Sequence, residues 1–267
     1  MNRKNPWERR SDAREASGED TERPDAGKKD PFEKRVRVPD VETLTEGTIT
    51  SVQAQKKDMD RVSIFLDGKF AFGIAADIAI GEGLKKGLVL TPEAQHKLFQ
   101  KEEVIAARRA SLDYLSLGGK TSTELKRSLA RRGFSDFAAE DAIAQMERYG
   151  YLDDAAYAMA FAKGRAASRG HGPQRLRADL LKKGVPRAAI DRALEELDAD
   201  DLAESANALG LKRWRALSSE SDTRKRKKKT TDFLLRRGFS FDQARTAVEA
   251  ALAKDEDVED ADDGWDA

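Results

Sequence analysis

The hydrophobic and polar positions of this chain follow three different patterns. Residues 1–44 mix charged side chains of both signs with four prolines and show almost no apolar periodicity. Residues 45–100 contain short β-rich stretches, and the remainder has the three- and four-residue spacing of amphipathic helices. Because a segment with so few apolar residues cannot offset the entropy of ordering, we predict a mainly α-helical protein with a disordered N-terminal arm over residues 1–44.

A small antiparallel sheet is predicted between residues 45 and 100. Three stretches are rich in β-branched and aromatic residues: Thr48–Val52, Arg61–Leu66 and Lys69–Ile74. Asp67 and Gly68 separate the last two, and this dipeptide tolerates the positive φ angles of a two-residue hairpin turn. Two or three strands are too few to be stable alone, so we expect them to pack on the helices that follow. The first helix has Thr91 as its cap and Pro92 at its first position, and it runs past Lys101.

An internal repeat organises the rest of the chain. Three stretches align without gaps: Leu129–Phe134, Leu180–Val185 and Leu234–Phe239. Their glycines, Gly133, Gly184 and Gly238, are 51 and 54 residues apart. Each glycine can take the left-handed conformation that ends a helix, and the two cations before it lie where the helix dipole is negative. The repeat therefore predicts a helix, a tight turn and a second helix in every copy.

The second helix of each copy is predicted to start directly after the turn. Ser135 and Ser240 can cap it, and Pro186 occupies the matching position in the middle copy. Nine residues after the glycines, all three copies carry an alanine on the predicted buried face: Ala142, Ala193 and Ala247. A longer helix precedes each pair, at roughly residues 102–117, 153–169 and 200–217.

These helices define three units of three helices, over residues 101–149, 150–199 and 200–254. Repeats of about 50 residues bury their apolar faces mainly against neighbouring repeats. We therefore expect an elongated, curved array that follows the small β segment of residues 45–100 and precedes an acidic, disordered tail over residues 255–267.

Charge is separated along the chain although its total is zero, with 49 basic and 49 acidic residues. Residues 120–192 carry 15 Lys and Arg against 9 Asp and Glu, and residues 212–239 carry 11 against 3. Residues 255–267 carry 8 acidic residues and no basic one. The basic body predicts a polyanionic partner whose binding weakens as salt is added.

The candidate partner-binding residues are the basic side chains of the repeats. Six belong to the cation pairs before the repeat glycines: Arg131, Arg132, Lys182, Lys183, Arg236 and Arg237. Four surround the loop that contains His171: Arg165, Arg169, Arg175 and Arg177. Six form one run at the start of a predicted helix: Arg224, Lys225, Arg226, Lys227, Lys228 and Lys229.

Each group also has a purely structural interpretation. The pairs either stabilise helix C-termini or form a row of cations along one edge of the array. The glycines beside His171 either separate two helices or let a partner's backbone approach closely, with His171 binding a phosphate or a carbonyl group. The basic run either binds polyanions or is a solvated helix start. Trp214, which lies nearby, either stacks on a base or belongs to the core.

Catalytic and metal-binding patterns are absent from the sequence. It lacks a phosphate-binding loop, a nucleophile elbow and a His-Glu-x-x-His helix. With no cysteine and two histidines, a transition-metal site would consist mostly of carboxylates. Asp153 and Asp154 are better explained as helix-capping residues. No apolar run approaches the roughly 20 residues of a membrane span, so we expect a cytoplasmic protein that is not an enzyme and needs no cofactor.

One combination of short segments is specific enough to identify a family. The segments are Leu112–Leu115, Thr123–Leu129, Arg132–Phe134, Gly150–Asp154 with Tyr157 and Phe161, Gly172–Leu176 and Leu180–Val185. Together they resemble the RecX family of bacterial recombination regulators. The resemblance runs from about residue 100 to residue 252, and it is most specific over residues 150–197.

The resemblance implies both a fold and a partner. Proteins of this family consist of three tandem three-helix repeats that lie in the helical groove of a RecA–DNA filament and bridge its protomers. They block filament extension, ATP hydrolysis and strand exchange by the RecA recombinase, and so act in recombination, DNA repair and the SOS response. We expect the same of this chain, as a monomer that contacts single- or double-stranded DNA directly or through the filament.

Three features depart from the family pattern. They are the polar arm before residue 45, the Gly118-Gly119 pair where a basic stretch is common, and the basic run 224–229 combined with the acidic tail. The last feature suggests that contact with DNA or an acidic filament surface is augmented, and that the tail competes for the basic face. The alternative function is an autonomous DNA- or RNA-binding helical repeat protein without a recombinase partner.

Overall fold

The computed structural model describes residues 37–56 and 58–262, with side chains up to Asp255. The predicted arm at residues 1–36 and the tail at residues 263–267 lie outside the described residues. The remaining arm residues, 37–44, contain a single 3-10 turn at Val41–Thr43. The Nδ1 atom of His96 lies 2.8 Å from the carbonyl oxygen of Pro39, so this short segment contacts a helix.

The sheet segment has four strands, β1 (Gly47–Gln55), β2 (Asp58–Leu66), β3 (Lys69–Ala75) and β4 (Val89–Leu90), with a short helix α1 (Ala76–Gly81) between the last two. The strands are antiparallel neighbours in the order β3-β2-β1-β4. Asp67 and Gly68 form the predicted turn, with φ angles of 48° and 81°. The prediction of two or three strands missed β4, which has only two residues and pairs with Gly47 and Thr48.

The helices of the remaining chain are α2 (Pro92–Ser116), α3 (Ser122–Arg131), α4 (Asp136–Arg148), α5 (Asp154–Arg169), α6 (Pro173–Lys182), α7 (Arg187–Glu195), α8 (Ala199–Arg215), α9 (Thr223–Arg237) and α10 (Phe241–Asp262). They form three successive groups of three, which confirms the predicted helical repeats. The helix α10 continues through Asp262, so residues 255–262 extend the last helix instead of beginning a tail.

Helix α2 is continuous across residues 100 and 101, where the sequence suggested the end of one segment and the start of another. The buried face of α2 carries two glutamates, Glu102 and Glu103, each 4% exposed. Glu102 accepts a 2.8 Å hydrogen bond from the backbone N–H of Ala75 and pairs with Arg61. Glu103 accepts hydrogen bonds from the backbone N–H and the hydroxyl of Ser135, at 2.8 and 2.7 Å. Both buried carboxylates therefore have hydrogen-bond partners within the first unit, and the helix from Pro92 runs past Lys101 as predicted.

The repeat features read from the sequence are confirmed. Gly133, Gly184 and Gly238 have φ angles of 82°, 77° and 91°, as the left-handed helix end requires. Ser135 and Ser240 accept capping hydrogen bonds from the N–H groups of Ala138 and Gln243. The three equivalent alanines are buried in their respective cores: Ala142, Ala193 and Ala247.

The chain divides into two compact units. The first contains the sheet segment, most of the first repeat and its own two apolar clusters, around Ile64 and around Leu129. The second contains residues 120–124 and the described residues from Asp153 onward, with apolar clusters around Leu180 and around Leu234. Residues 120–124, at the start of α3, therefore pack with the second repeat.

Candidate partner-binding surface

The sixteen candidate cations separate into ten exposed and six partly buried side chains. The exposed cations are Arg131, Arg169, Arg175, Arg177, Lys182, Arg224, Lys225, Lys228, Lys229 and Arg236. The partly buried cations are Arg132, Arg165, Lys183, Arg226, Lys227 and Arg237. In every cation pair before a repeat glycine, the first residue is exposed and the second is partly buried. The two members of each pair therefore differ in how accessible they are to a partner.

Lys183 shows what the second cation does. Its Nζ lies 2.8 Å from Oε1 of Glu124, at the start of α3, and it faces the rings of Tyr157 and Phe161 at 5.6 and 6.0 Å. Burial by itself lowers the pKa of Lys183, but hydrogen bonds to Glu124 and Tyr157 outweigh it and raise that pKa. Burial has the opposite effect on Tyr157, whose pKa it raises because it disfavours the charged phenolate. Lys183 is therefore a structural cation held inside the second unit.

Arg237 occupies the equivalent position in the third repeat. Its Nη1 donates a 2.8 Å hydrogen bond to the carbonyl oxygen of Arg169, at the end of α5. Its guanidinium lies 5.3 Å from the centroid of the Phe233 ring. Like Lys183, Arg237 joins its own repeat to the preceding part of the chain.

Hydrogen bonds to the carbonyl oxygens of a glycine turn occur at two equivalent junctions between repeats. The hydroxyls of Thr121 and Thr123 donate to the carbonyl oxygens of Lys183 and Gly184, at 2.7 and 3.0 Å. Fifty-one residues further on, the N–H groups of Gly172 and Gln174 donate to the carbonyl oxygens of Arg237 and Gly238, at 2.9 and 3.0 Å. The start of one helix thus caps the glycine turn that lies one repeat later, and these contacts were not predicted from the sequence.

The loop glycines serve this junction rather than a partner. A Cβ atom on Gly172 would overlap the backbone of Gly238, and one on Gly238 would overlap the backbone of Arg175. The close approach expected at Gly172 is therefore made by the chain's own third repeat. Gly184 is equally close to the side chain of Thr123.

The four arginines around the His171 loop have different surroundings. Arg175 Nε lies 3.3 Å from Asp179, Arg177 pairs with Asp191, and Arg165 lies 5.3 Å from the Phe161 ring. His171 is partly buried, and burial lowers its pKa, assisted by the positive charges of Arg175, Arg165 and Arg237. Asp179, 3.6 Å from the Nδ1 of His171, opposes this shift. His171 therefore has both arginines and one carboxylate, Asp179, as charged neighbours.

The basic run belongs to the first turns of α9. Asp222 caps the helix by accepting hydrogen bonds from the N–H groups of Arg224 and Lys225, at 2.9 and 3.2 Å. Two lysines of the run also have carboxylate neighbours, Lys229 at 2.5 Å from Glu220 and Lys225 at 3.7 Å from Asp222. The run is therefore an ordered helix start.

Arg226 must be removed from the candidate surface, because its guanidinium is used inside the third repeat. Its Nε donates to the carbonyl oxygen of Trp214 at 3.0 Å, and its Nη1 lies 3.0 Å from Asp255. It also lies 4.1 Å from the centroid of the Trp214 ring. Trp214 itself is 1% exposed, so the core interpretation of this residue is correct and base stacking is excluded.

Asp153 and Asp154 each accept hydrogen bonds at the start of a helix. Asp153 accepts hydrogen bonds from the N–H groups of Ala155 and Ala156, both at 2.9 Å, which confirms the predicted cap of α5. Asp154 accepts from the backbone and the hydroxyl of Ser122 at 2.8 and 2.6 Å. Among the side chains described, in residues 37–56 and 58–255, no three of His, Cys, Asp or Glu are arranged to hold a metal ion. None of the helices described has the length and apolar character needed to cross a membrane.

Comparisons with known proteins agree with this architecture. Family models match the chain at residues 47–91 for the regulatory protein RecX N-terminal domain, at 153–194 for the RecX second three-helix domain and at 199–248 for the third. A regulatory protein RecX from Clostridium botulinum (strain Eklund 17B / Type B) is 31% identical over 205 residues, which are 76% of this chain and 96% of the relative. One from Bacillus licheniformis is 32% identical over 212 residues, covering 78% of this chain and 79% of the relative.

Solved structures give the same result. A crystal structure of regulatory protein RecX superposes with a TM-score of 0.65 at 28% identity, covering 78% of this chain and 99% of that one. The crystal structure of RecX from Lactobacillus salivarius has a TM-score of 0.54 at 22% identity over 57% of this chain and supports the fold alone. Sequence, domain order and fold therefore agree that this chain belongs to the RecX family of regulatory proteins.

Proposed function

We propose that this chain binds a RecA recombinase filament on DNA and restrains filament extension, ATP hydrolysis and strand exchange. Two findings support the proposal. The chain belongs to a family of regulatory proteins, and its helical repeats carry exposed cations that suit a polyanionic, repetitive partner. On this proposal it acts in the cytoplasm, as a monomer, and contacts DNA directly or through the filament.

The observation that carries the proposal is the recurrence of one exposed cation at the same position of each repeat. Arg131, Lys182 and Arg236 all precede the second cation of a pair, and all three side chains are exposed. No carboxylate of the described residues forms an ion pair with any of them. The second cation of each pair already offsets the negative end of its helix dipole. The first cation is therefore available to contact a partner that also repeats.

The proposal is tested by reversing the charge of these exposed cations within the second unit. The double variant Lys182→Glu and Arg236→Glu should fold, since both side chains are exposed. We expect roughly tenfold more of this variant than of the wild type to be needed for half-inhibition of DNA-dependent ATP hydrolysis by RecA, a loss of about 1.4 kcal/mol. Undiminished inhibition would contradict the proposed surface.

A matched control has the same change in net charge. Arg187 and Arg192, on α7, are exposed and lie outside the candidate set. The variant Arg187→Glu and Arg192→Glu should inhibit like the wild type. If both double variants lose inhibition equally, only net charge matters and the assignment to the cation pairs is wrong.

The alternative, an autonomous nucleic-acid-binding protein, makes a different prediction. Its affinity for naked DNA would fall steeply with salt, and added RecA would leave the amount of bound protein unchanged. Under our proposal, the protein co-sediments with RecA filaments more strongly than with the same DNA alone. Equal binding to DNA with and without RecA would favour the alternative.

A further inference from the structure

The junction between the second and third repeats contains a cleft with a cationic lining. Its volume is about 290 Å³, and its lining residues are His171, Arg175, Phe233, Arg236 and Arg237. The first two come from the start of α6 and the loop before it, and the others from the last turns of α9. Four of the five lining side chains therefore carry nitrogen donors and none carries a carboxylate.

The charges in this cleft do not balance. The lining guanidinium groups carry three positive charges, and the neighbouring carboxylate of Asp179 lies 3.3 Å from Arg175. Arg237 donates to the neutral carbonyl oxygen of Arg169, which leaves its charge uncompensated. No described carboxylate pairs with Arg236. The cleft is therefore suited to an anion from outside the chain.

The equivalent junction one repeat earlier is balanced by the chain itself. The residue 51 positions before Arg175 is Glu124, and it pairs at 2.8 Å with Lys183, which is equivalent to Arg237. The same geometric position thus carries a carboxylate at one junction and a guanidinium at the other. Both junctions use the carbonyl oxygens of the second cation and of the repeat glycine as acceptors, so the charge at this one position distinguishes them.

His171 provides an independent observation of the same cleft. Its Nδ1 is buried and makes no hydrogen bond with a described residue, although Asp179 lies 3.6 Å away. Burial and three nearby arginines lower the pKa of His171 below its ordinary value of 6.5. An anion that enters beside His171 would favour its protonated form, which raises its pKa and supplies a further donor.

We infer that the cleft binds a phosphate group through Arg175, Arg236, Arg237 and His171. Guanidinium groups match the geometry of phosphate oxygens and form paired hydrogen bonds with them. The volume of the cleft is close to the lower limit of ligand pockets, which run from about 300 to 1,000 Å³, so it suits a single phosphate group. The backbone of a nucleic acid or a free phosphate compound could supply it. If DNA supplies the phosphate group, the inference rests on the proposed function and identifies a DNA phosphate as the group that the cleft contacts.

The test follows the two histidines of the full-length chain, His96 and His171, by NMR. The pKa of His171 is measured without ligand, with inorganic phosphate and with a short oligothymidylate, all at constant ionic strength. We expect either probe to raise the pKa of His171 by about half a unit or more, while the resonances of His96 stay in place. Correspondingly, phosphate should bind more tightly as the pH falls through the pKa of His171.

Two variants locate the response. Arg236→Gln removes an exposed lining charge and should abolish most of the His171 shift. Arg187→Gln changes an exposed cation of α7, outside both the cleft and the candidate set, and should leave the shift intact. An unchanged shift in Arg236→Gln, or no shift with either probe, would overturn the inference.

The probes also separate the sources of the phosphate group. A response to inorganic phosphate without one to oligothymidylate supports the cleft and overturns its link to DNA. An equal response to a glutamate-rich peptide overturns phosphate selectivity in favour of an acidic protein surface. Because these measurements contain no RecA, their failure is distinct from failure of the proposed function, which the ATP hydrolysis assay tests.

Discussion

The indole Nε1 of Trp214 donates a 2.8 Å hydrogen bond to the Oδ2 of Asp255. The same carboxylate oxygen lies 3.0 Å from Nη1 of Arg226, so one acidic residue near the C-terminus joins α8, α9 and α10. An acidic residue of the predicted tail therefore lies in α10 and pairs with one cation of the basic run.

Removing this carboxylate should destabilise the third repeat. Asp255→Ala leaves the buried indole N–H and the guanidinium of Arg226 without an acceptor, which should cost about 2 kcal/mol of unfolding free energy. Urea denaturation followed by circular dichroism measures the loss. Glu249→Ala is the control on the same helix, because its pair with Arg245 is exposed and should contribute at most about 0.5 kcal/mol. Equal losses would show that the Asp255 contact is not stabilising.

The repeat glycines should respond differently to substitution by alanine. Gly133 has a φ of 82° and open space around its Cβ position, so Gly133→Ala should cost about 1 kcal/mol from backbone strain. Gly238 has a φ of 91°, and a Cβ there would also overlap Arg175, so Gly238→Ala should cost about 2–4 kcal/mol. Thermal unfolding of both variants tests the difference. Similar melting temperatures would contradict the close junction at Gly238.

The contacts of Lys183 predict a loss of stability at alkaline pH. The folded state raises the pKa of both Lys183 and Tyr157. The stabilisation is therefore complete below their ordinary pKa values of about 10.5 and 10 and is lost as the pH rises through the higher folded values. Lys183→Met should show a smaller decrease in unfolding free energy between about pH 9 and pH 11 than the wild type. Lys182→Met, changed at the exposed neighbour, should keep the wild-type pH dependence.

The basic run should contribute to DNA binding only through its exposed members. Arg224 and Lys228 are exposed, whereas the side chain of Arg226 is 14% exposed and paired with Asp255. Arg224→Gln and Lys228→Gln should each reduce the slope of log affinity against log salt by about 1. Arg226→Gln should reduce stability and leave that slope unchanged. Fluorescence anisotropy with labelled single-stranded DNA gives the slopes, and an equal change for Arg226→Gln would contradict the division.

Sequence patterns predicted the parts of the fold that depend on neighbouring residues. The Asp67-Gly68 turn, the glycine helix ends and the caps at Ser135 and Asp153 all use groups within about four positions, and all are confirmed. The strand β4 could not be predicted, because two residues acquire strand structure only by pairing with Gly47 and Thr48.

At the candidate site, the cation pairs also show what local sequence patterns could and could not predict. Their presence before each glycine was evident, and their helix-terminal position follows from the local pattern. Which member is exposed could not be read from composition, since both members are basic and adjacent. Tertiary packing decided it: Glu124 approaches Lys183 from 59 positions away, and the carbonyl oxygen of Arg169 approaches Arg237 from 68.

The sequence by itself thus determined the threefold helical repetition, the glycine turns and caps within it, and an excess of positive charge in the repeats. The tertiary structure alone decided which cations are exposed, that Trp214 lies in the core, and that three guanidinium groups and one neighbouring carboxylate, Asp179, surround the cleft beside His171. The physical reason is the separation along the chain between the residues that set each feature. Backbone conformation and capping are set by neighbouring residues, whereas the pairing and burial of a charge depend on side chains that only folding brings within a few ångströms.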